Sequence, residues 1–106
     1  QGIKLPGLTR PEVFVVTAGD QAADAAFRLL FKLRSGGIPA DKDYMGRSLK
    51  AQMKYAGKTG VRYAVIIGEE EVKKGLVLVR DMRTGTQEAV AADQAVQYIQ
   101  NQKQQG

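Results

Sequence analysis

A chain of 106 residues that is 43% apolar has the size of one domain with one core, and is too short for two. Sixteen Lys and Arg against eleven Asp and Glu leave a net charge of +5, which biases the partner toward phosphate. With neither Cys nor His in the chain, disulfides, thiolate chemistry, zinc sites and His-based proton transfer are excluded, leaving only carboxylates, Lys, Tyr and hydroxyls as catalytic candidates; this argues against catalysis, and no catalytic residue and no metal site is assigned.

No run approaches the roughly twenty apolar residues that span a membrane, and no basic segment leads into an apolar one at the start. A cytoplasmic domain is the expectation. Residues 1–11 contain Gly2, Pro6, Gly7 and Pro11 and read as a linker from an upstream domain outside this chain. The domain proper is expected over residues 12–102, with a frayed glutamine-rich tail at 103–106.

Glu12 to Thr17 carries Val13, Phe14, Val15 and Val16, an apolar run suited to a central strand covered on both faces. The turn Ala18-Gly19-Asp20 follows, with Asp20 as the expected cap of a first helix. Its polar stripe is Asp20, Asp24, Arg28 and Lys32, acids early and bases late as the helix dipole favours, and the remainder is Ala, Leu and Phe. Gly36 and Gly37 stop it, and Ile38 to Ala40 offers a short strand that Pro39 confines to a sheet edge.

A second helix is expected over Gly46 to Lys58, closed by Gly60, with Arg47, Lys50, Lys54 and Lys58 on one stripe and Leu49, Met53 and Ala56 on the other. Val61 to Ile67 is a β-branched strand ended by Gly68. Glu69, Glu70 and Glu71 open a one-turn helix, and Gly75 introduces a strand from Leu76 that runs through Arg80 to a turn at Arg83, Thr84 and Gly85. Thr86 to Val90 closes the hairpin, and a last helix covers Ala92 to Gln102. This order predicts an α/β fold: three α/β/α layers around a five-stranded mixed sheet of order 2-1-3-4-5, with strand four antiparallel and the first two helices on opposite faces.

Gly19 and Asp20 stand where a nucleotide-binding fold keeps its phosphate turn, but no glycine fingerprint is present and an acid there repels phosphate, so a cap is the preferred reading. The stripe of Arg47, Lys50, Lys54 and Lys58 reads either as a solvated helix face or as a track for a nucleic-acid backbone. Tyr44, Tyr55 and Tyr63 beside it are candidates for stacking on bases or for ordinary packing. A carboxylate among Glu69, Glu70 and Glu71 can accept from a base edge, with Arg80 on the adjoining strand as the donor fork; the plain alternative is pairing with the helix dipole.

The segment GEEEVKKGLVLVRDMRTGTQE, preceded by GRSLKAQMKYAGKTGVRYAVIIG, resembles the C-terminal anticodon-binding domain of class II aminoacyl-tRNA synthetases, most closely the histidyl branch. The histidyl character lies in GRSLKAQMKYA and RDMRTGTQEAV. Threonyl relatives read the anticodon with a Glu after strand three and an Arg at the end of strand four. Aligning Gly68 and Gly75 puts these on Glu71 and Arg80, while the threonyl Asn falls near Gly46, with Arg47 or Asp43 as substitutes. The resemblance implies recognition of the anticodon loop of tRNA(His). It also implies a homodimeric parent whose catalytic domain, contacting this one, uses ATP with Mg. No cofactor is implied for this domain. A synthetase-derived protein-interaction module is the alternative reading.

Overall fold

The structure is a computed structural model that describes residues 11–43 and 46–105. Five strands form one sheet of order β2-β1-β3-β4-β5: β1 (Val13–Thr17), β2 (Ala40–Lys42), β3 (Tyr63–Ile67), β4 (Leu76–Asp81) and β5 (Gln87–Ala91). β1 pairs in parallel with β2 and β3, while β3–β4 and β4–β5 are antiparallel. The expected order and the reversed fourth strand are both realised. Helix α1 (Gln21–Ser35) crosses one face and α2 (Leu49–Thr59) the other; α3 (Glu69–Lys74) and α4 (Ala95–Gln105) complete the chain.

Alternation along the strands divides the core in two. Val13, Val15, Tyr63, Val65, Ile67, Val77 and Val79 face α1 and α4, where Ala22, Ala26, Leu30, Leu33, Ala95 and Ile99 close the larger cluster. Phe14, Val16 and Ala64 face α2 and pack with Ala56, Val61, Met53 and Met82. Burial on both sides is why the β1 and β3 segments are continuous apolar runs without polar alternation.

Four local expectations change. The second strand is Ala40–Lys42, two residues later than Ile38 to Ala40. Ile38 is held back by donating its N–H to Leu33 at 2.9 Å, and Pro39, with no N–H, contributes only its carbonyl, which accepts from Glu12 and Val13. β2 does occupy the sheet edge. Asp20 does not cap α1: its backbone is already helical (φ −66, ψ −34), its side chain makes no cap bond, and the Gly19 carbonyl accepts from Ala22 instead.

Helix α2 starts at Leu49, after Gly46, whose φ of +70 is not helical. Ser48 is the cap, its hydroxyl accepting from the Ala51 N–H at 3.2 Å, and Gly60 closes the helix at φ +83 as expected. Arg47 therefore precedes the helix, and Leu49, at 40% exposure, does not seal the sheet. The last helix begins with a 3₁₀ turn at Ala92–Gln94 and continues to Gln105. The linker expected at 1–11 lies, apart from Pro11, outside the described residues, as does Tyr44.

Candidate nucleic-acid interface

In an open α/β sheet the crevice beyond the carboxyl ends of the strands, where connections diverge to opposite faces, is the natural ligand site. Here it lies between β1 and β3. Beside it opens a cleft of about 440 Å³ between the starts of α1 and α2, lined among others by Thr17, Gly19, Phe27, Lys42, Arg47 and Gln52. Gln52 builds its wall. This side chain is 2% exposed and uses its whole amide: Oε1 accepts from the Thr17 N–H at 2.9 Å, and Nε2 donates to the Thr17 carbonyl at 2.8 Å and to the Arg47 carbonyl at 2.7 Å. It satisfies the end of β1 as a neighbouring strand would. The cue in the sequence is a lone amide among Leu49, Met53 and Ala56, the helix positions assigned to the sheet.

Glu69 closes the crevice from the other side. Its side chain lies over Gly19, so near that a Cβ at residue 19 would stand 2.6 Å from its Cγ and Oε2. Gly19 also adopts φ +94, a left-handed conformation that favours glycine. The β1–α1 and β3–α3 turns thus touch through Glu69.

Glu71 and Arg80 are positioned differently from each other. Glu71 lies beyond the carboxyl end of β3 and its Oε1 accepts the Gly68 N–H at 2.8 Å, fixing the start of α3. It borders a groove of about 220 Å³ between α1 and α3 that also contains Arg28, Lys32 and Val72. Arg80 pairs with Ala64, three residues before the end of β3, or roughly 10 Å back along the strand. Because Ala64 faces α2, so does Arg80. The two side chains share no hydrogen bond and no groove among the described residues, so a single base edge gripped by both is not preformed.

Lys50, Lys54 and Lys58 are exposed along α2. A Cβ at Gly57 would come within 3.9 Å of the Met82 side chain, so α2 and Arg80 share one face and one end of the sheet. Arg47 is separately engaged. Its Nε is 3.4 Å from Asp43, its N–H donates to the same carboxylate at 2.9 Å, and its guanidinium lies 4.9 Å from the Tyr55 ring centre. Tyr55 also meets Phe14 with ring centres 5.4 Å apart and keeps 42% exposure, so one ring face is braced and part of the side chain is accessible. Tyr63, at 2% exposure, is a core residue and cannot stack on a base.

A sequence profile of the anticodon binding domain family matches residues 12–102. The chain belongs to this family. The anticodon-binding domain is 66% identical over 99 residues to a histidine–tRNA ligase of Pelotomaculum thermopropionicum, covering 93% of this chain and 23% of that protein. It is 50% identical to the histidine–tRNA ligase of Moorella thermoacetica over 100% of this chain and 25% of the other. Histidyl-tRNA synthetase from S. aureus superposes with a TM-score of 0.79 at 41% identity, over 92% of this chain and 25% of that one. The chain therefore spans about a quarter of the length of the relatives it matches. The RNA binding domain of threonyl-tRNA synthetase from Cryptosporidium parvum, at TM-score 0.79 and 20% identity, shares the fold.

Proposed function

We propose that this anticodon-binding domain reads the anticodon loop of tRNA(His) as part of a histidine–tRNA ligase. The observation that carries this is the 66% identity to one such ligase across 93% of the chain. It favours tRNA recognition over the protein-interaction module. In the longer protein the domain would hold the tRNA while a catalytic domain activates histidine with ATP and Mg, in a cytoplasmic homodimer whose catalytic part contacts this one. None of that chemistry falls to the residues described here.

Within the domain, Glu71 and Arg80 are the base-reading residues, and Lys50, Lys54 and Lys58, with Arg47, guide the RNA backbone. Their separation makes each responsible for a different part of the loop. Glu71 has its second carboxylate oxygen free of partners among the described residues, so it can accept from a base while Oε1 keeps the turn. Glu71→Gln retains the Gly68 hydrogen bond but loses the charge, and Arg80→Ala loses the donor fork. Each is expected to weaken binding of the tRNA(His) anticodon stem-loop about tenfold, with little change on a stem-loop of scrambled anticodon. Fluorescence anisotropy on both RNAs is the measurement; equal losses on the two would remove base reading from these residues.

A further inference from the structure

The end of the sheet away from the crevice carries a second, smaller polar site that anticodon reading leaves unused. Tyr63 and Asp81 are direct cross-strand partners, Glu88 pairs with the neighbouring Val79, and Tyr98 and Gln102 cover them from α4. With Thr86 of the hairpin these residues enclose a pocket of about 70 Å³. A water molecule occupies about 30 Å³ in the liquid, so the space fits an ion with one or two waters.

Three features show that the pocket is electrostatically incomplete. The Tyr63 hydroxyl is buried, on a side chain 2% exposed, and makes no hydrogen bond among the described residues. An unpartnered buried hydroxyl ordinarily costs stability, so it marks a place for a ligand. Asp81 spends Oδ1 on the N–H groups of Arg83 and Thr84, at 2.8 and 3.3 Å, and has its other oxygen free among the described residues. Glu88 accepts the Tyr98 hydroxyl and keeps its other oxygen free among the described residues. Neither carboxylate forms an ion pair with a described Lys or Arg.

We infer that this pocket binds a hard, partly hydrated divalent cation of the Mg²⁺ or Ca²⁺ class, through the carboxylates of Asp81 and Glu88 and the hydroxyl oxygen of Tyr63. The donor set is oxygen alone, which selects such cations over softer metals. Two carboxylates neutralise the ion, the phenol and waters fill the remaining positions, and the hairpin becomes tied to β3 and α4. The site is independent of the RNA-reading residues, so it does not rest on the proposed function.

The test uses the 106-residue chain with ¹⁵N labelling. Traces of Mn²⁺ are expected to broaden the amide signals of Tyr63, Asp81, Glu88 and Tyr98 before any others, and excess Ca²⁺ to restore them. Direct Mg²⁺ and Ca²⁺ titrations at constant ionic strength are expected to saturate with Kd values of about 10⁻⁴ to 10⁻³ M. Glu88→Gln, which can still accept from Tyr98, should raise these at least tenfold while leaving the spectrum otherwise native. Tyr63→Phe should raise them severalfold without lowering the melting temperature of the metal-free protein. Broadening spread over surface acids such as Asp24 and Glu70, or affinities unchanged in Glu88→Gln, would overturn the proposal and leave the pocket to water alone.

Discussion

Replacing Gln52 with Met is expected to destabilise the domain by about 3 kcal/mol, although Met is close to Gln in length and more apolar. Three backbone groups lose a partner at once, namely the Thr17 N–H, the Thr17 carbonyl and the Arg47 carbonyl. Each buried polar group left unsatisfied costs about 1–3 kcal/mol. The cleft beside Gln52 admits water that recovers part of this, which places the total near the lower end of the sum. For a domain of this size 1 kcal/mol shifts the melting temperature by about 4–8 °C, so a fall of roughly 12–24 °C should appear in a thermal melt followed by circular dichroism. Because volume is nearly conserved, a cavity cannot account for the loss. A fall below about 3 °C would mean that the amide does not hold the end of β1. The same substitution should loosen the cleft wall, linking a stability residue to the crevice where the connections diverge.

The double substitution Lys50→Glu with Lys54→Glu is expected to weaken binding of every RNA, cognate and scrambled, by about tenfold or more at low salt. Both lysines are exposed on α2, on the face of the sheet that Arg80 also occupies. Each phosphate contact on a single strand contributes about 0.7 to the slope of log affinity against log salt, so losing two should flatten that slope by about 1.4. A control with the same change of charge, Lys73→Glu with Arg83→Glu, alters exposed residues on α3 and in the hairpin turn. It should leave the slope nearly intact. Equal flattening in both variants would make the α2 stripe a solvated face, with attraction set by net charge alone.

The sheet was legible in the residues because its central strands are buried on both faces, and a strand of that kind reads as a near-continuous apolar run. Val13 to Val16 and Val61 to Ile67 say so directly, and the short link through α3 compels the reversal of β4. Boundaries were less legible where two local signals compete. Asp20 is a good capping type, yet Gly19 bends the chain first and leaves Asp20 inside the helical turn. Pro39 identified the sheet edge correctly but delayed pairing until its own residue was past. Phe27 and Phe31 read as part of an apolar helix face, but α1 buries only the side carrying Ala22, Ala26, Leu29, Leu30 and Leu33, leaving these rings 56% and 73% exposed.

Of the candidate site, the lysines were the easiest to anticipate, since a helical period fixes which side they take. Relations between distant residues were not visible in the same way. Gln52 meets Thr17 and Glu69 meets Gly19 only after the sheet has assembled, and no spacing in the chain encodes either contact. Glu71 and Arg80 are close in sequence, which favours imagining them together; their separation comes from the register of β3 with β4.

That register also divides the chain by the order in which it can fold. β3, β4 and β5 form a meander whose pairings join near neighbours, such as Ile66 with Leu78 and Arg80 with Gln87. The parallel seam between β1 and β3 joins Val13 to Tyr63, about fifty residues apart, so its pairing carries the larger loop-closure cost. The meander is therefore expected to nucleate folding and the parallel seam to zip last. Val79→Ala should chiefly slow refolding, whereas Val15→Ala should chiefly hasten unfolding, a contrast readable in the two arms of a stopped-flow chevron. The crevice, lying across that seam, is then the last part of the domain to take shape.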